Sequence, residues 1–435
     1  MQIPQQYKFI VQLGKALHTY GVPSYKSQIY LSQISKRKGI KGSFMDTPTW
    51  INYVFYEEED QTYNYVECVP PGELNLGALS RIIEIANKVL SDELSFEQAK
   101  KEIEQIKNAR PEYGKFIVLL SFMLSAGSFS VILDTSWTSV ITASLLGAII
   151  YGIQYLAQKS CYIRSTLESL VAFIATIGTG LLSLRFSQID ISMTILASII
   201  IFIPGLSITS ALEEITSKSL VSGTAKLFDA LISLFKQFFG VVLGLATLPL
   251  FVDLKPNQVI NDIPEWMDYF AIIILSLSLM PVLKVRPKDM FLGVTTGFIC
   301  FFTTTFLEPT GILVSIFLGS ITAVTISKLF SKINRAPQLV YLIPGIIMLV
   351  PGSKAFIGLS TVFLNSSTSH SSNMGEQILY IFMGIIGGLL FSGTFMDRSL
   401  IQGAKHHSAH VPFNKPTSLL HHFKTKTGRM DKSEK

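Results

Sequence analysis

Charge is scarce in this chain: Asp, Glu, Lys and Arg together make up 15% of its 435 residues. Ordinary globular proteins carry about 25%, so most of the chain is not built to face water. Cysteine is scarcer still. Cys68, Cys161 and Cys300 lie far apart and show no C-x-x-C spacing, which leaves no basis for a disulfide framework or a zinc site. The sequence also lacks a Walker-type phosphate loop, a G-x-S-x-G elbow and an H-E-x-x-H pair. ATP-driven pumping, serine-hydrolase chemistry and zincin chemistry therefore have no motif to stand on. The net charge of +6 is not gathered into a basic stripe interleaved with aromatics, so nucleic acid is not an expected partner. No apolar signal-peptide core precedes residue 20, and the first residues are expected to stay on the cytoplasmic side.

What the chain has instead is apolar length. Hydrophobic residues make up 49% and mean hydropathy is +0.43, the composition of a polytopic membrane protein. The apolar residues are unevenly spread. Residues 1–113 read as a cytoplasmic α+β domain, 114–250 as a first membrane unit, 251–265 as an outer connection, 266–396 as a second membrane unit, and 397–435 as a basic, His-rich, disordered cytoplasmic tail. In the head, helical spacing over 5–20 and 23–38 gives way to β-branched and aromatic runs at 43–45, 50–56 and 62–69. The acidic run Glu57-Glu58-Glu59-Asp60 suits a hairpin tip. Helices are expected near 75–90 and 95–107, the second opened by Ser95 with Gln98 three residues on, a capping-box spacing.

Segments near 116–133, 137–156, 166–184, 191–212, 230–250, 266–283, 289–306, 310–327, 337–361 and 375–396 each approach the roughly 20 residues that a bilayer requires. With the head inside, the inner connections hold Lys159, Arg164, Lys218, Lys226, Lys284, Arg286, Lys288, Lys328, Lys332 and Arg335, whereas the outer ones hold only Arg185 and Lys255. That asymmetry places both termini in the cytoplasm. About ten transmembrane helices divide at the outer connection into five and five, an odd number per half, which is the arithmetic of an inverted repeat.

Pro-Gly steps interrupt two of these spans: Pro204-Gly205 in the fourth, and Pro344-Gly345 with Pro351-Gly352 in the ninth. A broken span frees backbone groups that hydrocarbon cannot satisfy, and paired breaks in the two halves mark a transporter's binding site. Pro351 is the better mate for Pro204, because both fall at a similar depth of oppositely directed spans. Candidate substrate-binding residues are therefore Pro204, Gly205, Ser207, Thr209, Pro344, Gly345, Pro351, Gly352 and Lys354, the last also suited to snorkelling toward the interface. Glu213 and Glu214, just beyond the first break, are the candidate proton-coupling acids; the competing reading is that they simply face water. In the head, His18, Tyr20, Asp46 and Thr49 are the only candidates for a hydrolytic site, and core or surface roles account for them as well. The tail histidines, His406, His407, His410, His421 and His422, suit either metal binding or a solvated tail.

Several of these stretches together resemble the threonine/serine exporter family. They are Leu13-Gly14-Lys15-Ala16-Leu17-His18-Thr19-Tyr20-Gly21, with Pro48-Thr49, in the head; Ile203-Pro204-Gly205 through Ser222-Gly223-Thr224-Ala225-Lys226-Leu227; and Pro337, Ile343-Pro344-Gly345 and Leu349-Val350-Pro351-Gly352. The matching positions are Pro204, Gly205, Glu214, Gly223, Pro351 and Gly352. The resemblance implies a proton-driven secondary exporter of threonine and serine, with a cytoplasmic domain sometimes compared with hydrolases; the plasma (inner) membrane is the expected location, with a fungal internal membrane left open. Expected partners are a small amino acid, protons and the bilayer, with no cofactor or catalytic residue, and a homo-oligomer left open. The rival readings are a membrane-anchored hydrolase and a channel or structural membrane protein.

Overall fold

The computed structural model describes residues 3–57, 61–250, 262–334, 336–349 and 374–396. In the head, α1 (Gln5–Thr19) and α2 (Ser24–Arg37) precede a three-stranded antiparallel meander of β1 (Lys41–Asp46), β2 (Trp50–Tyr56) and β3 (Thr62–Cys68). The alternation of β2 puts Ile51, Tyr53 and Phe55 on one face, and all three are fully buried. Against them lies α1, close enough for Tyr7 and Phe55 to stack at 3.9 Å. Gly14 permits that approach, since a Cβ there would lie 2.4 Å from the Tyr53 hydroxyl. Next come α3 (Leu76–Leu90) and α4 (Phe96–Lys107), the latter opened by the expected Ser95–Gln98 capping box. The backbone of Glu57 donates to the Gln61 carbonyl, closing the β2–β3 hairpin; residues 58–60 lie outside the described ones.

The apolar region begins with α5 (Lys115–Ile132), α6 (Trp137–Ala157), the short α7 (Cys161–Ser165) and α8 (Leu167–Ser183). There follow α9 (Ile191–Ser198), one 3-10 turn at Ile200–Phe202, α10 (Gly205–Thr216) and α11 (Leu220–Thr247). The second stretch comprises α12 (Met267–Val282), α13 (Pro287–Phe306), α14 (Ile312–Asn334), α15 (Leu339–Ile347) and α16 (Met374–Met396). Among the described residues, five helices are long and apolar enough to cross a membrane, or six when α9 and α10 are taken as one bent span. The helices α8 and α12 are apolar but shorter, with 17 and 16 residues.

These helices pack through small residues, as expected where lipid removes the hydrophobic drive for helix association. A Cβ at Gly147 would meet the Phe122 carbonyl at 2.7 Å, and one at Gly240 would lie 2.2 Å from the Ser169 carbonyl. The first crossing seats α6 on α5, the second α11 on α8. Between the two stretches, Ser125 of α5 and Ser278 of α12 share a buried hydroxyl hydrogen bond of 2.7 Å. The described residues from Ile3 to Ser392 belong to one compact unit, so the head is docked on the bundle.

The crossing at Gly240 gives the first test. Gly240→Val forces α8 and α11 apart and should destabilise the detergent-solubilised protein by about 1–3 kcal/mol. Gly152→Val, at an exposed position where an added Cβ meets nothing within 4 Å, should leave the melting temperature unchanged.

Candidate functional site

The fourth apolar segment is broken: α9 ends at Ser198, ahead of the expected step, and α10 restarts at the expected Pro204-Gly205. Its two parts, on either side of Ser198–Ile200, are bent by 57°, and Pro204, with no N–H to give and a ring that fixes φ, caps the restarted helix α10. A break inside a membrane leaves carbonyls to be satisfied, and here a side chain answers one of them. Gln237 of α11, fully buried, donates its Nε2 to the Phe202 carbonyl at 2.6 Å. Because a carbonyl can only accept, the amide must present its nitrogen there. Its Oε1 is left buried with no partner. Beside it lies the amino terminus of α10, whose Gly205 N–H already bonds the Ile203 carbonyl at 2.8 Å and whose following first-turn donors stand at the positive end of the helix dipole. The break thus offers both a buried acceptor and a donor-rich helix end.

Not every predicted residue joins this site. Thr209 is buried, but its hydroxyl is spent on the Gly205 carbonyl, and Ser207 is exposed. The helical period explains the difference: Thr209 lies four residues after Gly205 and returns to its face, whereas Ser207 lies two after and faces away. Pro344-Gly345 is no break, because α15 runs through it from Leu339 to Ile347. Instead, Gly345 allows close helix contact, with a Cβ falling 3.0 Å from Thr296 and 3.1 Å from the Cys300 sulfur of α13. Pro351, Gly352, Lys354 and the five tail histidines lie outside the described residues. Even so, α10 and α15 touch, which brings the fourth and ninth segments together.

Glu213 and Glu214 do not face open water. Glu214 has 0% exposure and its Oε1 accepts from the backbone N–H of Ser24 at 2.9 Å and from Lys226 Nζ at 2.5 Å. Ser24 is the first residue of α2, so the carboxylate sits on the positive end of a head helix. The Ser24 hydroxyl pairs with Ser222 at 2.7 Å. The neighbouring Glu213 accepts from the Tyr25 hydroxyl at 2.7 Å and pairs with Lys26. Burial and then the Glu213 charge push the Tyr25 phenol far above its ordinary value, so it remains a donor. Gly223 makes room for this junction, since a Cβ there would lie 2.6 Å from Ile215. The two acids were legible as important, but their grip on the head was not, because Ser24 is 190 residues away in sequence.

In the head, His18 and Asp46 meet, both buried, with Nδ1 to Oδ1 at 2.8 Å. The other ring nitrogen faces the Pro70 carbonyl at 3.1 Å, so no free nitrogen is aimed at open space. The pair ties the end of α1 to β1 and to the chain after β3. Thr49 is exposed and Tyr20 half-buried, and no distance unites them with His18. Among the described residues no cluster of His, Cys, Asp and Glu could hold a metal.

The chain matches two family models, both described as threonine/serine exporter, over residues 8–248 and 268–395. It belongs to the threonine/serine exporter family. Its relatives include proteins named pheromone-regulated membrane protein 10. The one from Kluyveromyces lactis is 24% identical over 90% of this chain and 44% of its own length. That from Eremothecium gossypii is 23% identical over 85% and 51%, and that from Saccharomyces cerevisiae 22% over 91% and 54%. The chain thus spans about half the length of these curated relatives. No solved structure matches it.

Removing Glu214 takes away the charged acceptor that Ser24 N–H and Lys226 share, and a hydrogen bond to a charged group is worth about 1.5–3 kcal/mol. Glu214→Ala should therefore release α2 from the bundle, seen as faster hydrogen exchange at Ser24–Ser27, while Asp229→Ala, at an exposed position of α11, changes nothing.

Proposed function

We propose that this family member is a secondary exporter of a small hydroxy amino acid, threonine or serine, driven by proton entry. The observation that carries the reading is the bent span, with the orphaned Gln237 oxygen buried beside the start of α10. A zwitterion presents a carboxylate and an ammonium group a few ångströms apart. The helix end suits the carboxylate and the Gln237 oxygen suits the ammonium or the side-chain hydroxyl. Pro204 and Gly205 shape the break itself. Contact between α10 and α15 supports a site between the fourth and ninth spans.

In this reading the helices α5, α6, α8, the bent α9–α10 pair and α11 form the first five spans, and α12 to α16 with their connections the second. The halves are related by an inverted repeat and rock about the site, with head and termini in the cytoplasm. Glu214 is the coupling acid. Both of its donors crowd one oxygen, and Oε2 is buried with no partner, which leaves it the place for a proton. Proton uptake there removes the charge that holds Ser24 and Lys226, linking protonation to the freedom of α10.

The test is serine and threonine efflux from proteoliposomes with and without an imposed pH gradient. Gradient-stimulated, saturable efflux is expected, and Gln237→Leu should raise KM about tenfold, the loss of one hydrogen bond to a charged group. Efflux no faster than from empty liposomes, with or without the gradient, would sink the proposal.

A further inference from the structure

A second cavity, of about 210 Å³, lies where the head meets the bundle. Its walls come from the start of α3, the segment after α4, and Lys284 in the connection between α12 and α13. Four cations line it, Arg81, Lys107, Arg110 and Lys284, against a single anion, Glu112. Glu112 is already paired with Arg81. Among the described residues, Lys107, Arg110 and Lys284 have no anionic partner. An adjoining cavity of about 380 Å³ shows the contrast: Arg81 and Lys88 face Glu84 and Glu102 there, so the charges cancel and nothing selects an anion.

Docking of the head fixes the position of Lys284. Lys284 is held in the left-handed region at φ 55°, while its carbonyl accepts from Gly77 N–H at 2.9 Å and that of Leu283 accepts from Leu76 N–H at 3.1 Å. Tyr113 donates to the Val285 carbonyl at 2.5 Å, and burial, with Glu112 and Asp289 nearby, pushes its phenol up to about 12, so this clasp keeps its proton. The apolar helices α5, α12 and α13 all begin or end beside this point, at Lys115, Val282 and Pro287. In the topology proposed above, the cavity falls at the level of lipid headgroups on the head side of the membrane.

We propose that this cavity binds a phosphate-bearing anion. Arginine forks and lysine ammonium groups are the side chains that recognise phosphate oxygens, and basic pockets at this depth are where anionic headgroups bind. The site is incomplete without both parts, since Arg81, Lys107 and Arg110 come from the head side and Lys284 from the bundle. Occupancy therefore favours the docked head by mass action. A membrane lipid and a soluble phosphate compound share this chemistry.

The experiment measures binding to the full-length, detergent-purified chain by native mass spectrometry, with dioctanoyl phosphatidic acid, dioctanoyl phosphatidylcholine and inorganic phosphate as probes. Phosphatidic acid should be retained in preference to phosphatidylcholine. The exposed and unpaired Lys107 and Arg110 can be neutralised without disturbing the fold, and Lys107→Gln with Arg110→Gln should weaken retention about fivefold per charge removed. Lys101→Gln, an exposed charge of α4 outside the cavity, should leave it unchanged. Competition by inorganic phosphate at matched concentration assigns the site to a soluble phosphate, and failure to compete assigns it to the headgroup; both support it. Equal retention of the two lipids with no phosphate bound, or an equal loss in Lys101→Gln, would overturn it.

Discussion

A carboxylate with no solvent exposure must have its charge answered by the protein, and at Glu214 the answer comes from two directions. Lys226 reaches back along α11, and the first N–H of α2 arrives from the head. That interaction joins the restarted half of the broken span to the soluble domain. The break between Ser198 and Gly205 determines where α10 points, α10 places Glu214, and Glu214 holds α2. The dock and the break are therefore mechanically one object.

The head has a second foot. The start of α3 donates to the carbonyls of Leu283 and Lys284, and Glu84 of α3 pairs with Arg286, which is buried and also held by Asp289. Asp289 in turn accepts from Tyr341 of α15 and Asn334 of α14. Each foot sets a helix amino terminus against polar groups of the bundle, one on the α10–α11 corner and the other on the α12–α13 corner. A head that grips both stretches constrains any motion of one against the other. Its fold, stapled by the buried His18–Asp46 pair, gives it the rigidity to do so.

Much of this was legible from residue order. The capping box of α4 and the alternation of β2 rest on neighbours a few residues apart, and so does the Pro204 break, because a proline disrupts its own turn wherever it sits in a helix. Pro344 shows the limit of that rule. It lies in the interior of α15, which runs through it without a break, and helices α13 and α14 pack around it. Ser207 shows another limit, since a hydroxyl near a break is useful only on the face that turns inward.

The sequence by itself determined that this is a membrane protein with a mixed α and β head, where its apolar helices run, and that one of them breaks at Pro204. These are local properties of period, length and backbone chemistry. Only the tertiary structure decided that Gln237 answers the break, that Glu213 and Glu214 hold the head, and that Lys284 completes a cationic cavity with residues from the far side of the junction. Each of those depends on groups brought together from distant parts of the chain, and such meetings are fixed by packing and by the need to satisfy buried charge and hydrogen bonds.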